Sequence, residues 1–231
     1  MDRLRPRYQP IKDTTDNFCL GYEATVHMIQ GNADVSAKDL FDRAIQRGNG
    51  AFEELDRAAR RVAIQEADLF LAKSELLFLN VSSLEALEEE FDSYLLNNLQ
   101  HRLVFEITEN VTIDQQAVRL IESLANKGVI FAIDDFGKGL ANWKSFVELP
   151  VSYLKMDMFF VQRLNKLKAR HAIGKMVEIC QENNIRLVLE GIETKDQYDQ
   201  LQSMGVRYMQ GYYLGRPAGL DENHQHGRVR A

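Results

Sequence analysis

Apolar and polar positions along this chain follow two different periods. Short runs of apolar or β-branched residues are separated by longer stretches in which apolar residues recur at helical spacing. The short runs predict eight strands: Arg7–Lys12, Gly21–Met28, Leu76–Val81, Leu103–Thr108, Val129–Asp134, Tyr153–Asp157, Arg186–Glu190 and Tyr208–Leu214. The longer stretches predict helices: two within Ser36–Lys73, broken at 48–50, then Ser83–Gln100, Asp114–Lys127, Asn142–Glu148, Phe159–Asn183 and Thr194–Met204.

The order of these elements predicts an α/β fold. Strands that alternate with helices indicate a parallel sheet, and eight strands in 231 residues fit a closed TIM-like (β/α)8 barrel. The first two strands are separated only by Asp13–Leu20, which is too short for a helical crossover. We therefore expect a hairpin there and an antiparallel first strand. A single barrel domain is predicted over residues 1–220, followed by a polar, disordered tail at 221–231.

Composition and charge indicate a folded protein of the cytoplasm. The chain is 45% hydrophobic, which allows a sizeable core. No apolar run reaches the ~18 residues of a membrane span, and the first residues lack the apolar segment of a secretory signal. A net charge of −6, with no Lys/Arg cluster interleaved with aromatic residues, argues against binding to DNA. We therefore predict neither membrane insertion nor DNA binding.

Polar side chains occupy the places where the predicted strands end. One acid at a strand end is usually a helix cap or a solvated loop residue, but here seven of the eight strands end in a possible ligand. In a barrel these ends surround one mouth, which is where such folds carry active sites. The residues concerned are Glu23, Asn80, Glu106 with Glu109, Asp134 with Asp135, Lys155, Glu190 with Glu193, and Gln210.

Carboxylates crowded into one mouth repel each other unless cations lie between them. Hard oxygen ligands at this density suit Mg²⁺ or Mn²⁺, and two such ions suit in-line attack on a phosphodiester. Asp134 and Asp135 cannot both point inward from a regular strand, so one is expected to end the strand and the other to turn in from the loop. Lys155 is predicted to orient water or stabilise negative charge. A glycosidase is a weaker interpretation, because its two carboxylates work without metals.

Six short motifs, in this order, resemble the EAL-domain cyclic-di-GMP phosphodiesterases of bacteria. The resemblance runs from Tyr8-Gln9-Pro10-Ile11 to Arg216-Pro217, over almost the whole chain. The motifs are Glu23-Ala24-Thr25, Asn80-Val81-Ser82, Glu106-Ile107-Thr108-Glu109, Asp134-Asp135-Phe136-Gly137, Lys155-Met156-Asp157 and Glu190-Gly191-Ile192-Glu193. The resemblance implies a TIM-like barrel that hydrolyses cyclic-di-GMP to linear pGpG with two ions of Mg²⁺ or Mn²⁺.

The resemblance also implies a role for each matching residue. It implies the metal ligands Glu23, Asn80, Glu106, Asp134, Asp135 and Glu193. It implies catalytic roles for Lys155, Glu190 and Glu109, where Glu109 tethers the loop after Asp135. It implies substrate contacts from Gln9, His27, Gln210, Tyr212 and Pro217. It also implies a homodimer. We additionally expect that a separate sensory or regulatory protein controls the activity.

Two positions depart from the family pattern. The family has an arginine that grips a ligand phosphate where this chain has His27, and it usually has a threonine where this chain has Lys138. Lys138 either replaces the missing arginine or belongs to a different interface. The sequence therefore leaves two alternatives beside the phosphodiesterase: a receptor that binds cyclic-di-GMP with little turnover, and a protein-interaction module.

Overall fold

The computed structural model describes residues 3–16, 18–30, 33–48, 50–84, 87, 102–108, 111–138 and 142–221. Its strands are β1 Arg3–Asp13, β2 Cys19–Gln30, β3 Ala33–Val35, β4 Leu76–Val81, β5 Leu103–Ile107, β6 Ile130–Phe136, β7 Tyr153–Met156, β8 Arg186–Leu189 and β9 Tyr208–Gln210. Its helices are α1 Ala37–Arg47, α2 Ala51–Phe70, α3 Gln115–Asn126, α4 Asn142–Glu148, α5 Met158–Val161, α6 Leu167–Glu182 and α7 Lys195–Ser203.

Eight of these strands close into a barrel, which confirms the predicted fold class. The strand order is β1-β9-β8-β7-β6-β5-β4-β2, and β1 also pairs with β2 to close the ring. β1 is antiparallel to both neighbours, while the other barrel strands pair in parallel. The antiparallel first strand is thus confirmed. It follows from the short connection at 14–18, which leaves no room for a crossover helix.

Two differences from the predicted elements change how many elements there are. β3 is an extra strand of three residues that extends the sheet beside β2, antiparallel to it. It is too short to show an apolar period, so the sequence pattern misses it. The predicted helix Phe159–Asn183 is instead two helices, α5 and α6, joined by a turn that buries Leu164. The side chain of Arg170 donates a hydrogen bond to the Leu164 carbonyl oxygen and holds this turn in place.

Helix ends follow local chemistry. Asp114 caps α3 by accepting hydrogen bonds from two backbone N–H groups, and Thr194 forms a capping box with Gln197 at the start of α7. The break between α1 and α2 falls at Gly48 and Gly50, as predicted, and both have positive φ.

The predicted helix Ser83–Gln100 lies mostly outside the described residues. No helix in the described ranges is both long and apolar enough to span a bilayer.

The barrel interior is filled by one apolar layer. Seven of its eight strands each contribute one buried side chain to this layer: Ile11, Phe78, Val104, Ala132, Tyr153, Val188 and Tyr208. Two larger apolar clusters pack the outer faces of the strands against the helices. The interior layer is therefore a closed floor, and whatever lies above it faces the mouth of the barrel.

Candidate active site in the barrel mouth

A polar layer lies directly above the apolar floor. Alternate residues of a strand share a face, so the residue two positions further along each strand also points inward. In β5 this step leads from Val104 to Glu106, and in β7 from Tyr153 to Lys155. In β4, β6, β8 and β9 the same step leads to Asn80, Asp134, Glu190 and Gln210, and in the antiparallel β1 the reverse step from Ile11 leads to Gln9. The predicted site residues thus share a layer because of strand alternation.

Lys155 lies at the centre of this layer and is buried, with 1% of its side chain exposed. Its Nζ atom lies 2.7 Å from Glu190 Oε1, 2.8 Å from Glu106 Oε1 and 2.9 Å from Glu23 Oε2. Asp134 Oδ1 is 3.3 Å away. One ammonium group therefore holds together four carboxylates that would otherwise repel one another.

Amide side chains complete the layer on the β1 and β2 side. Gln210 Nε2 donates to Glu23 Oε2 at 2.7 Å and to Gln9 Oε1 at 3.3 Å. Asn80 Nδ2 donates to Glu23 Oε1 at 3.4 Å. Gln9 is anchored in turn by its own hydrogen bond to the Gly215 carbonyl oxygen. Glu23 is thus oriented by neutral donors as well as by the ammonium group.

A bulge in β6 brings both aspartates to the mouth. The predicted strand end at Asp134 is wrong, because β6 continues through Asp135 to Phe136. Ile133 pairs with Leu154 of β7 and Phe136 pairs with Met156, so β6 has one more residue than β7 over this stretch. Asp135, within the bulge, takes a left-handed conformation with φ 51°. This extra residue removes the alternation that would have turned one carboxylate away. Lys138, in the following turn, pairs with Asp135 Oδ2 at 2.5 Å.

Burial and mutual repulsion shift the carboxylate pKa values. Desolvation raises the pKa of Glu106 well above its usual value, and the nearby Glu23 and Asp134 raise it further. Desolvation likewise raises the pKa of Asp134, and it raises that of Glu190 to about 8. Glu23 is the exception, since Lys155 and the amide donors outweigh its desolvation and lower its pKa. In the metal-free protein the mouth therefore tends to hold protons.

The donor set fits a divalent cation. Oε2 of Glu106 is buried and has no hydrogen-bond partner among the described residues, although Oε1 is paired with the ammonium group. Carboxylate oxygens of Asp134, Asp135 and Glu190 lie within 4.8 Å of one another. A buried carboxylate oxygen without a hydrogen-bond donor, next to converging carboxylates, suits the binding of Mg²⁺ or Mn²⁺, because these ions prefer oxygen ligands.

Other predicted residues lie outside this convergence. Glu193 is exposed and is not in the group formed by the converging carboxylates, and Glu109 lies outside the described residues. His27 is half-buried further along β2, opposite Arg5 of β1. Tyr212 is 51% exposed. Its ring stacks under the guanidinium of Arg216, and Pro217, partly buried, follows in the chain.

Sequence reasoning missed a buried ion pair beside the mouth. Asp56 and Arg60 of α2 are both about 4% exposed and bind each other one helical turn apart. A charged pair at this spacing is usually on a solvated helix face. The available signal was that both share their face with Ala63 and Ala67, which are also buried.

Comparison with known proteins identifies the family. The sequence model of the EAL domain matches residues 1–217, which is nearly the whole chain. The chain belongs to the EAL-domain family. A solved EAL-domain protein from Listeria monocytogenes has the same fold, with a TM-score of 0.86 and 26% sequence identity. That match covers 98% of this chain and 93% of the other.

Several curated relatives carry names that state an activity, and two of them serve as examples. One is the cyclic di-GMP phosphodiesterase PdeB of Shewanella oneidensis, 39% identical over 50% of this chain. The other is the cyclic di-GMP phosphodiesterase PdeL of Escherichia coli, 31% identical over 68% of this chain. The chain spans 14% of the length of PdeB and 48% of the length of PdeL.

Proposed function

We propose that this EAL domain hydrolyses one phosphodiester bond of cyclic-di-GMP, giving linear pGpG, with two divalent cations. The observation that carries the proposal is the buried layer in which four carboxylates surround Lys155 above a closed apolar floor. Such a layer serves no packing purpose, because buried carboxylates cost free energy unless a cation neutralises them. The names of the relatives PdeB and PdeL support cyclic-di-GMP as the substrate.

The chain offers ligands for two cations, Mg²⁺ or Mn²⁺. Glu23, Asn80, Glu106 and Asp134 would hold the first. Asp134 and Asp135 would hold the second, with Glu190 and Glu193 in or near its shell. When bound, the cations would stabilise negative charge on the phosphodiester oxygens.

Two side chains would then handle the attacking water. Desolvation lowers the pKa of Lys155, but the surrounding carboxylates outweigh this and raise it well above its usual value. Lys155 therefore stays charged and acts as a hydrogen-bond donor that positions water and opposes negative charge. Glu190 contacts Lys155 and lies beside the two aspartates, so its carboxylate, once ionised, would accept a proton from that water. Glu109 would tether the loop after Asp135, as the family resemblance implies.

Substrate contacts are proposed for the residues around this centre. Gln9 and Gln210 are fixed by hydrogen bonds at the edge of the layer, and Oε1 of Gln210 has no hydrogen-bond partner among the described residues. His27, Tyr212 and Pro217 would contact the nucleotide further out. Lys138 is already paired with Asp135, which favours a role beside the aspartates over that of a substitute for the missing arginine.

The test is incubation with cyclic-di-GMP and Mg²⁺ or Mn²⁺, with products resolved by chromatography. Metal-dependent formation of pGpG, absent in a chelated control, is the expected result. If no product forms, calorimetric titration with the nucleotide separates the alternatives. Binding without cleavage would mean a receptor, and no binding would leave the protein-interaction module.

Metal binding is expected to tighten as the pH rises. The pKa values of Glu106, Asp134 and Glu190 are raised, so at about pH 6 an incoming ion must displace protons from these carboxylates. Calorimetry with Mn²⁺ at about pH 6 and about pH 8 should show stronger binding at the higher value. Titrations in two buffers of different ionisation enthalpy should also show proton release. Equal affinity at both pH values, with no protons released, would contradict the raised pKa values.

We also propose that the chain forms a homodimer. Trp143 and Val147 of α4 are 54% and 75% exposed, and Trp143 packs on Phe136 at the end of β6. An apolar surface joined to the Asp135 segment would suit a contact between two copies. Light scattering after gel filtration tests this, with Val147→Glu expected to favour the monomer. A cytoplasmic location and a separate sensory partner stay predictions from the sequence.

A further inference from the structure

The buried face of α2 carries two charged residues at positions where apolar residues would pack against the barrel. Asp56 and Arg60 lie on the same face as Ala63 and Ala67, and all four are buried. A buried ion pair is often no more stabilising than apolar side chains of similar volume, because both charges lose their hydration. The pair at this position therefore needs an explanation other than packing.

The pair spans the end of β4. Arg60 Nη1 binds the Asp56 carboxylate and also donates to the backbone carbonyl oxygen of Asn80 at 3.2 Å. Ser82 Oγ donates to Asp56 Oδ1 at 3.3 Å. These contacts lie on either side of Val81, the last residue of β4, where the chain leaves the barrel.

Pairing with β5 holds one edge of this segment, but its side towards α2 is not fully packed. A cavity of about 340 Å³ lies beside it, lined among others by Asp56, Arg60, Asn80 and Ser82. Where one side of a strand end faces a cavity, directional hydrogen bonds decide its position more than van der Waals contact does. The side chain of Asn80 points into the polar layer and donates to Glu23.

We propose that Arg60, held by Asp56, is a positioning residue that fixes the end of β4 so that Asn80 faces the carboxylates. The inference rests on the proposed function in one respect, since Asn80 is there a ligand of the first cation. The orientation of the β4 end itself can be measured without any metal or substrate.

The experiment compares Arg60→Met, Arg60→Lys and the double variant Asp56→Leu/Arg60→Met. Arg60→Met leaves the Asp56 carboxylate buried without its partner, so it should lower the melting temperature. The double variant replaces both charges by apolar groups and should recover the melting temperature. It should still show faster hydrogen exchange at residues 80–84, and Mn²⁺ binding weaker by about ten- to hundredfold. Arg60→Lys keeps the positive charge and should restore part of the melting temperature, the slow exchange and the Mn²⁺ affinity.

The control is Arg43→Met, which removes an exposed arginine of the neighbouring helix α1 and should leave the melting temperature, the exchange and the Mn²⁺ affinity unchanged. A double variant with wild-type melting temperature, exchange and Mn²⁺ affinity would overturn the proposal and leave the pair a packing element. If the wild type binds no Mn²⁺, the proposed function fails, but the exchange at residues 80–84 still decides the positioning role. If Mn²⁺ binds but cyclic-di-GMP is not hydrolysed, the exchange rates and the Mn²⁺ affinities of the variants together decide whether Arg60 has the positioning role.

Discussion

Asp135→Asn is expected to abolish hydrolysis of cyclic-di-GMP while leaving the barrel folded. The carboxylate of Asp135 converges with those of Asp134 and Glu190, and its replacement by an amide removes a full negative charge from the ligands of the second cation. A loss of about 4 kcal/mol of transition-state stabilisation would lower kcat about a thousandfold. Steady-state assays of pGpG formation measure this effect.

The fold should tolerate this change for two reasons. Asparagine adopts the left-handed conformation found at Asp135, φ 51°, at least as readily as aspartate. The lost ion pair with Lys138 is partly exposed, and such pairs contribute about 0–1 kcal/mol. Asp199→Asn, on the exposed face of α7, is the matched control and should keep full activity. Full activity in a folded Asp135→Asn protein would refute the assignment of Asp135 as a metal ligand.

The candidate site was predictable because of strand alternation. An apolar run that ends in an acid, such as Val104 to Glu106, places the acid on the interior face above the apolar residue. Since the carboxyl ends of parallel barrel strands surround one mouth, such residues converge even when they are far apart in sequence. The pairing of β1 beside β9 then added Gln9 to this layer through its hydrogen bond with Gln210.

Features set by tertiary contacts were not predictable. The bulge at Asp134 and Asp135 depends on the offset between β6 and β7, which no period in the sequence records. The burial of Asp56 and Arg60 depends on α2 lying against the end of β4, so a helical charge pair gives no sign of it. These features change how ligands are positioned without changing which strand ends carry them.

Lys155 acts as an internal cation in the metal-free protein. It neutralises part of a buried negative charge that bound metals would otherwise neutralise, so it links stability to metal loading. This link makes a stability measurement informative about the site, independently of any assay of hydrolysis.

Lys155→Met is expected to remove activity and to destabilise the metal-free protein by about 3–5 kcal/mol at neutral pH, because carboxylates around it stay buried without their partner. Their pKa values, already raised at Glu106, Asp134 and Glu190, should rise further. A group whose pKa is higher in the folded state favours folding at low pH. This stabilisation is lost as the pH rises from the pKa of the unfolded state, which is 4.5 for glutamate, through the higher pKa of the folded state.

The deficit in unfolding free energy of Lys155→Met should therefore widen from about pH 5 to about pH 8 in urea titrations. Added Mn²⁺ should recover part of it, because the ion supplies positive charge to the same carboxylates. Lys175→Met, which removes an exposed lysine paired with Glu178, is the control and should unfold like the wild type at both pH values. A Lys155→Met protein as stable as the wild type at about pH 8 would show that this ammonium group does not hold the carboxylates together.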